Sequence, residues 1–513
     1  MTVRPGRRSL LTRRAGPGQS ATWMASCWQR EAEAGEDMTL RSRWAGRNGR
    51  RSVWYVAIAS GAVIALAAGC SSGSSGSPSA SASKAVHLTY ALWDPVQEVG
   101  YKKSIALFEK SHPNITVSVE QIPYPDYESK LTSEFASGDG PDVYWVNTPF
   151  LAQFEQANVM LNLAPLIKKD HVDMSIYRPA LIALHSHDGA IYGLPKDWDT
   201  EGIFYNKTYF AEHHITIPAN LTWNPVNGGS FLTLAKEATT DANGTNALSP
   251  SFNPKDVATY GVSVVNQPDI GYGPFLASAG VPVFQQAGLA QGVKCSCYPK
   301  SVTFDSQAGV AAMQFLVDLS LKYHVAPAAS EYGANGAAPT NEDVTMFAAG
   351  KTAMAVEGDW FTTTIASAAK FKFGVLPIPT GPDGRWSFTN GLIDAINAHT
   401  PNQVAAWELE RWLGSPTSES IMGSGGYIWP GIASLDSTFL NYWAKKGVDV
   451  SPFLEEAQDS SHVETLPVAV EAGQIITSLA SDLGPAWLGS ESVSAAMARA
   501  ATDANQELQR SSG

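Results

Sequence analysis

The sequence predicts an α/β chain folded as two lobes, and three observations carry that expectation. At 513 residues and 44% hydrophobic, the chain is longer than one typical hydrophobic core supports. From Val86 onward, short β-rich runs alternate with segments of helical apolar spacing. Further along, strand-like runs return among helical stretches, in keeping with an α/β chain.

Each element follows from its local pattern. VHLTYALWD is rich in β-formers, KKSIALFEKSHP has helical spacing stopped by Pro113, and ITVSVEQIP alternates apolar with polar. YESKLTSEFASG is an amphipathic helix ending at Gly138, and PDVYWVN reads as a short buried strand. This β-α-β-α-β order implies a largely parallel, helix-covered sheet. IYGLPKDWD reads as a strand ending in Asp197-Trp198-Asp199. TWNPVNGGSFLTLAKEAT and GVAAMQFLVDLSLKYHVAP read as helices, FAAGKTAMAVEGDWF and KFGVLPIPTG as strands, and the tail from about Pro485 to Arg510 as helical.

Charge narrows the function classes. The formal net charge is −13, yet residues 1–70 hold 11 Arg and only 4 acidic residues, so the body beyond them is more acidic still. A surface that acidic argues against nucleic acid as a partner. After Met38 comes an Arg-rich stretch, then the 17-residue apolar run VWYVAIASGAVIALAAG, then Cys70 and the Ser/Gly-rich SSGSSGSPSASASK. A basic, an apolar and a small-residue segment in that order make a secretory signal, and the apolar run is short for a membrane span. Residues 1–69 are therefore expected to be a signal region whose true start is Met38, and residues 70–84 a flexible linker. Cys295 and Cys297, in KCSCYPK, could close a small disulfide outside the cytoplasm.

Sites of catalysis and metal binding find little support. Gly350-Lys351-Thr352 lacks the preceding glycine of a phosphate loop, and H-E-x-x-H is absent. His185-Ser186-His187-Asp188 has no third histidine nearby, so neither a metal nor a cofactor is expected. What remains is aromatic and carboxylate or amide residues together near strand ends: Trp93-Asp94, Tyr144 to Asn147, Asp197-Trp198-Asp199, Asp359-Trp360, and Tyr427 with Trp429. Ligands of such sheets sit at the carboxyl ends of strands. Flat rings stack on the C–H faces of sugars, and carboxylates and amides match their hydroxyls. Asp197 and Asp199 would lie on one face about 6–7 Å apart, with Trp198 opposite. That spacing overlaps the carboxyl separations of glycosidases, so a secreted glycan-active enzyme and a sugar-binding surface adhesin are the alternatives to a transport protein.

Four segments taken in order carry a resemblance: FEKSHPNITVSVEQIPYPDYESKLTSEFASGDGPDVYWVN, YGLPKDWDTEGIFYNKTYF, MFAAGKTAMAVEGDWF, and VLPIPTGPDGR before NGLIDAIN. Together the chain resembles the extracellular solute-binding proteins of carbohydrate ABC importers, the family 1 group that is maltose-binding-protein-like. The resemblance implies a periplasmic-binding-protein-like α/β fold, two lobes joined by hinge crossovers with a ligand cleft between them. It implies a first lobe of 84–199 plus 392–430 and a second of 205–388 plus 433–513. It places Asp199 at a sugar-gripping carboxylate, Asn147 near a polar contact, Tyr272 and Phe275 in an aromatic loop facing the cleft, Trp360 at a stacking tryptophan, and Trp487 near a second one. Gly391, in NGLIDAIN, joins the set, whereas Asp359 stands where that family has proline and inherits no role. LAAGC resembles a lipobox, which makes Cys70 the lipid-modified residue. The implied protein is no enzyme. It is a monomeric lipoprotein on the outer face of a bacterial cell membrane, handing a neutral mono- or oligosaccharide to an ABC permease.

Overall fold

The computed structural model describes residues 84–284, 299, 301–339, 341–458 and 462–511. The expected signal region and linker, Cys70, and the Cys295–Cys297 pair lie outside the described residues. In chain order the main elements are β1 (Val86–Leu92), α1 (Pro95–Ser111), β2 (Ile115–Gln121), α2 (Tyr124–Ser137), β3 (Val143–Asn147), α3 (Thr148–Gln156), β4 (Asp199–Asn206), α4 (Gly229–Ala238), α5 (Gln307–Leu321), β5 (Met354–Gly358), β6 (Phe373–Leu376), β7 (Ser387–Asn390), β8 (Leu392–Ile396), α6 (Gln403–Leu413), α7 (Pro416–Ser424), β9 (Val463–Glu464), α8 (Ala472–Trp487) and α9 (Val493–Ser511).

Local chemistry sets the first boundaries. Asp94 caps α1, its Oδ1 accepting the backbone N–H groups of Val96 at 2.7 Å and Gln97 at 3.1 Å, and Pro95 opens the first turn. Helix α2 stops at Gly138, which takes the left-handed φ of 82° that a side chain would resist. All five residues of β3 are buried, as a strand covered on both faces must be.

Two sheets result. The first runs β8-β3-β1-β2, with β1 parallel to β2 and β3, and β8 antiparallel to β3. The second runs β6-β4-β7-β9, with β5 also on β4, and every pairing of β4 is antiparallel. Parallel pairing therefore dominates only in the first sheet, the second having one parallel pair, β7 with β9. Each sheet has its own core. Leu88, Phe108, Trp145 and Ile393 belong to the first, and Ile203, Phe231, Leu316, Leu479 and Met497 to the second. A third cluster of Trp198, Phe204, Trp429, Phe439 and Trp443 packs beside strand β4. Among the described residues no helix is long and apolar enough to cross a membrane.

Three sequence expectations shift. Asp197-Trp198-Asp199 does not end a strand. Asp197 forms a bridge to Pro430, and Asp199 begins β4. The helix of TWNPVNGGSFLTLAKEAT is confined to Gly229–Ala238, because Gly228 and Gly229 both have positive φ. The tail is two helices rather than one, α8 carrying Pro485 inside its last turn before the break at Leu488.

The chain passes between the sheets at closely spaced crossovers. Asn390 pairs with Asp199 in the second sheet while Leu392 pairs with Asn147 in the first, so the single residue Gly391 spans the change. A Cβ there would come within 2.5 Å of Leu181 Cδ2 and 3.0 Å of the Asp197 carbonyl. A buried carboxylate holds each crossover by a backbone N–H. Glu410 accepts Leu194 at 2.7 Å, Asp197 accepts Leu392 at 2.9 Å, and Glu419 accepts Ile432 at 2.9 Å. Charge-assisted bonds of this kind are among the stronger ones in a protein.

Candidate binding cleft

One wall of the cleft is built by the carboxyl ends of β1, β2 and β3. Trp93, half-buried, is set edge-on to Tyr124 at 5.4 Å and to Trp145 at 4.8 Å between ring centroids. Asp94 follows it and caps α1. Asn147, 7% exposed, turns Oδ1 to the N–H of Thr148, and its side chain meets the Tyr124 hydroxyl. Thr148 Oγ1 then donates to Asn390 Oδ1 at 2.7 Å, tying this wall to the crossover.

The opposite wall comes from β4 and the end of β5. Asp359 Oδ1 accepts the Thr200 N–H at 2.9 Å, which seats its carboxylate beside Asp199. Trp360, half-buried, packs against Val265, Ile270, Tyr332 and Ala338. Gly358 is obligatory beneath it, because a Cβ would fall 2.2 Å from Trp360 Cη2. Asp269 faces Tyr124 from this side, and its charge raises that phenol's pKa after burial has done so.

The electrostatics of the cleft are one-sided. Burial, then the charges of Asp197, Asp359 and Asp94, hold the Asp199 carboxyl well above the usual carboxylate range, against the pull of Lys196. Burial also raises Asp359 and Asp94, each against the backbone N–H bonds it accepts. Neither acid sits at a solvated strand end, Asp197 being 1% and Asp199 8% exposed. Buried carboxyls favour the neutral form because water no longer stabilises the charge. Among the described residues, the ammonium that acts on these acids is Lys196. It lies 3.3 Å from Asp197 Oδ2 and 3.6 Å from the centroid of the Trp145 ring.

The structure thus brings Trp93 and Asn147 together at Tyr124, and Asp94 and Asp359 near Asp199, while Trp360 follows Asp359 and packs on the Ile270 cluster. It takes the other candidates elsewhere. Tyr144 is in the first core, its hydroxyl donating to the Val159 carbonyl at 3.1 Å. Asp197 braces the crossover with both oxygens. Trp198 lies under Arg178 at 4.8 Å and against Trp429 at 4.8 Å. Phe275 is sealed between Trp223 and Phe231, and Trp487 is in the same core. Tyr272 is also buried there, but its hydroxyl has no partner and feels Asp269 and Glu464. Tyr427 is half-buried and accepts from Lys103 Nζ at 2.8 Å. Gly391 is the crossover itself.

Sequence reasoning missed Tyr124, Thr148, Glu201, Asp269 and Asn390. Tyr124 follows the carboxyl end of β2, so the rule that selected Trp93 could have found it. Asn390 adjoins Gly391. Glu201 shares a strand face with Asp199 by two-residue alternation. Among the described residues no group of three His, Cys, Asp or Glu is placed to hold a metal ion.

Residues 89–419, more than half the chain, match the family described as bacterial extracellular solute-binding protein. The chain belongs to that family. A galactooligosaccharide-binding protein of Bacillus subtilis is 24% identical to this solute-binding protein over 331 residues, 63% of this chain and 68% of the relative. An uncharacterized ABC transporter extracellular-binding protein of Pyrococcus horikoshii is 27% identical over 134 residues, 26% of this chain and only 30% of its own length. Among solved structures, an ABC substrate-binding protein of Listeria monocytogenes in complex with cycloalternan superposes with a TM-score of 0.70 at 20% identity, covering 83% of this chain and all of that one. That likeness establishes the two-lobed α/β fold for the solute-binding protein. The family is one of exported binding proteins rather than enzymes, which removes the reading of Asp197 and Asp199 as a hydrolytic pair.

Proposed function

We propose that this solute-binding protein captures a saccharide between its two lobes and delivers it to an ABC permease, working as a monomer tethered to the outer face of the membrane by lipid on Cys70. The observation that carries the saccharide reading is the ring and acceptor set where the sheets join, with Trp93 and Asn147 meeting Tyr124 on one side and Asp359 beside Asp199 on the other. Rings suit the apolar faces of a sugar, and the amide and carboxylates suit its hydroxyls. The galactooligosaccharide-binding relative and the cycloalternan-bound structure support the same class. The lobes run 84–199 plus 392–430 and 205–388 plus 433–513, a division supported by the change of sheet at Gly391 and by the separate cores. Contacts made by both walls would favour the closed form by differential affinity, and the permease would read that form.

A thermal-shift screen against mono- and oligosaccharides tests the reading. A ligand of the native state at a hundred times its Kd adds about 2.7 kcal/mol of stability, and at least one sugar should raise the melting temperature in this way. If no sugar moves it while other solute classes do, the saccharide reading fails. The anchor has its own test, because Cys70→Ala should release the exported protein into the medium. A variant still membrane-bound after an alkaline wash would rule the anchor out.

A further inference from the structure

One segment is held by both cores without being a crossover. Residues 465–471 join β9 to α8, and both of those elements belong to the second lobe. β9 pairs with β7, Glu464 accepts the Phe284 N–H at 3.1 Å, and Ile475, Leu479 and Leu483 of α8 lie in the second core. Yet Val468, 2% exposed, is a member of the first core, and Val470 packs against the same cluster. Ala469 between them and Ala472 just beyond are members of the second. Neighbouring residues are thus claimed by opposite lobes. The contact continues into the first turn of α8. There Glu128 of α2 sets its carboxylate against Gly473, where a Cβ would come within 3.0 Å of Oε2, and α8 packs against α3 of the first lobe.

Opening would treat this segment and the crossovers differently. At Gly391 the chain itself passes from one sheet to the other, so the lobes can turn there and stay joined. The 465–471 segment has both ends fixed in the second lobe and cannot follow the first. Separation would therefore lift Val468 and Val470 off the first core and bring apolar surface into water, which is unfavourable in proportion to the area exposed. A contact within the protein favours the closed arrangement before any ligand adds to it, and a larger competent fraction raises the apparent affinity. We infer that residues 465–471 form a closing strap, built on the second lobe and seated on the first through Val468, whose hold sets the balance between open and closed forms. The inference rests on the lobe closure proposed above and names the element that governs it.

Small-angle scattering and hydrogen exchange on the purified protein test the strap. Val468→Ser removes the methyl groups that seat it, so the ratio of open to closed molecules should rise about tenfold, the equivalent of one buried valine. The radius of gyration should increase, and the amides of residues 465–471 should exchange about tenfold faster while those of α9 keep the wild-type rate. Ile475→Val trims a side chain of α8 that lies in the second core alone, and it should move neither readout. Should Val468→Ser fail to fold, Val468→Ala serves the same comparison. A Val468 variant with wild-type scattering and exchange overturns the inference. So does faster exchange at 465–471 with an unchanged radius of gyration, because the segment would then be a surface loop with no hold on the lobes. Faster exchange spread evenly through both lobes, or an Ile475→Val protein that swells as much, overturns it too by marking Val468 as ordinary core. Neither readout uses a sugar, so the strap can fail while the saccharide reading stands, and a silent sugar screen leaves the strap untouched.

Discussion

Two buried charge clusters meet where the lobes join, and they are built to opposite rules. Around Lys196 the charges are paired, although Asp394 Oδ2 and the Tyr101 hydroxyl have no hydrogen-bond partner among the described residues. The ammonium sits between Asp197 and two aromatic faces, Asp394 accepts the Tyr90 hydroxyl at 2.6 Å, and Tyr90 in turn accepts the Trp145 indole N–H at 2.5 Å. Asp394 is pushed up to about 6 by burial, with Lys196 and the Tyr90 hydroxyl opposing. Two residues further along the chain, Asp199 shares only the more distant pull of Lys196, against Asp197, Asp359 and Asp94. The first cluster spends its charge on structure. The second holds its charge in reserve, and a reserve of that kind is stable only if a ligand or protons supply the balance.

The largest effect that separates the two is expected at Lys196. Replacing it with methionine keeps much of the apolar stem but leaves Asp197 and Asp394 buried without their counter-ion, and breaking a buried pair costs about 3–5 kcal/mol. Urea unfolding should show that loss. An unchanged midpoint would mean that Lys196 is as dispensable as a surface lysine. A smaller difference is expected between two chemically similar changes. Asp197→Asn turns an amide toward the Lys196 ammonium and weakens the brace on Leu392, at a cost of about 1–3 kcal/mol. Asp199→Asn replaces a carboxyl that burial and its acidic neighbours already hold toward the neutral form, and should leave the midpoint unchanged or higher. Equal losses at both positions would erase the contrast.

That contrast was only half legible in the sequence. The first lobe could be read because each strand and helix announces itself within a dozen residues and neighbours pair in order. The second sheet could not, since β4 pairs with β5 and β6 some 150 residues later and nothing local to Asp199–Asn206 names those partners. Trp93, Asp94 and Asn147 were selected because a parallel sheet offers a ligand the ends of its strands. Tyr144 was misplaced because every position of β3 is buried, so polarity could not tell one face from the other. Asp197 and Asp199 look alike in sequence, and what divides them is a backbone N–H from Leu392, 195 residues away. Their burial was equally invisible, because it is imposed by the other crossovers.

The last effect, read as a slope in pH, probes whether the second lobe's acids titrate with folding. Glu464 has Oε1 on the Phe284 N–H at 3.1 Å and Oε2 without a partner, and burial pushes its carboxyl up to about 8 from an ordinary 4.5. The folded state therefore holds a proton that the unfolded chain has already given up above pH about 4.5. Stability from this group is complete below that pH and is lost as pH rises through about 8, with a slope of at most about 1.4 kcal/mol per pH unit for one proton. Glu464→Gln keeps the oxygen that accepts from Phe284 and cannot ionise, so the wild-type loss of stability between pH 5 and pH 8 should be shallower in the variant by up to that slope. Urea midpoints at several pH values measure the difference. If both proteins lose stability in parallel, Glu464 carries no excess proton, and the wall beneath the cleft is better neutralised than its geometry implies.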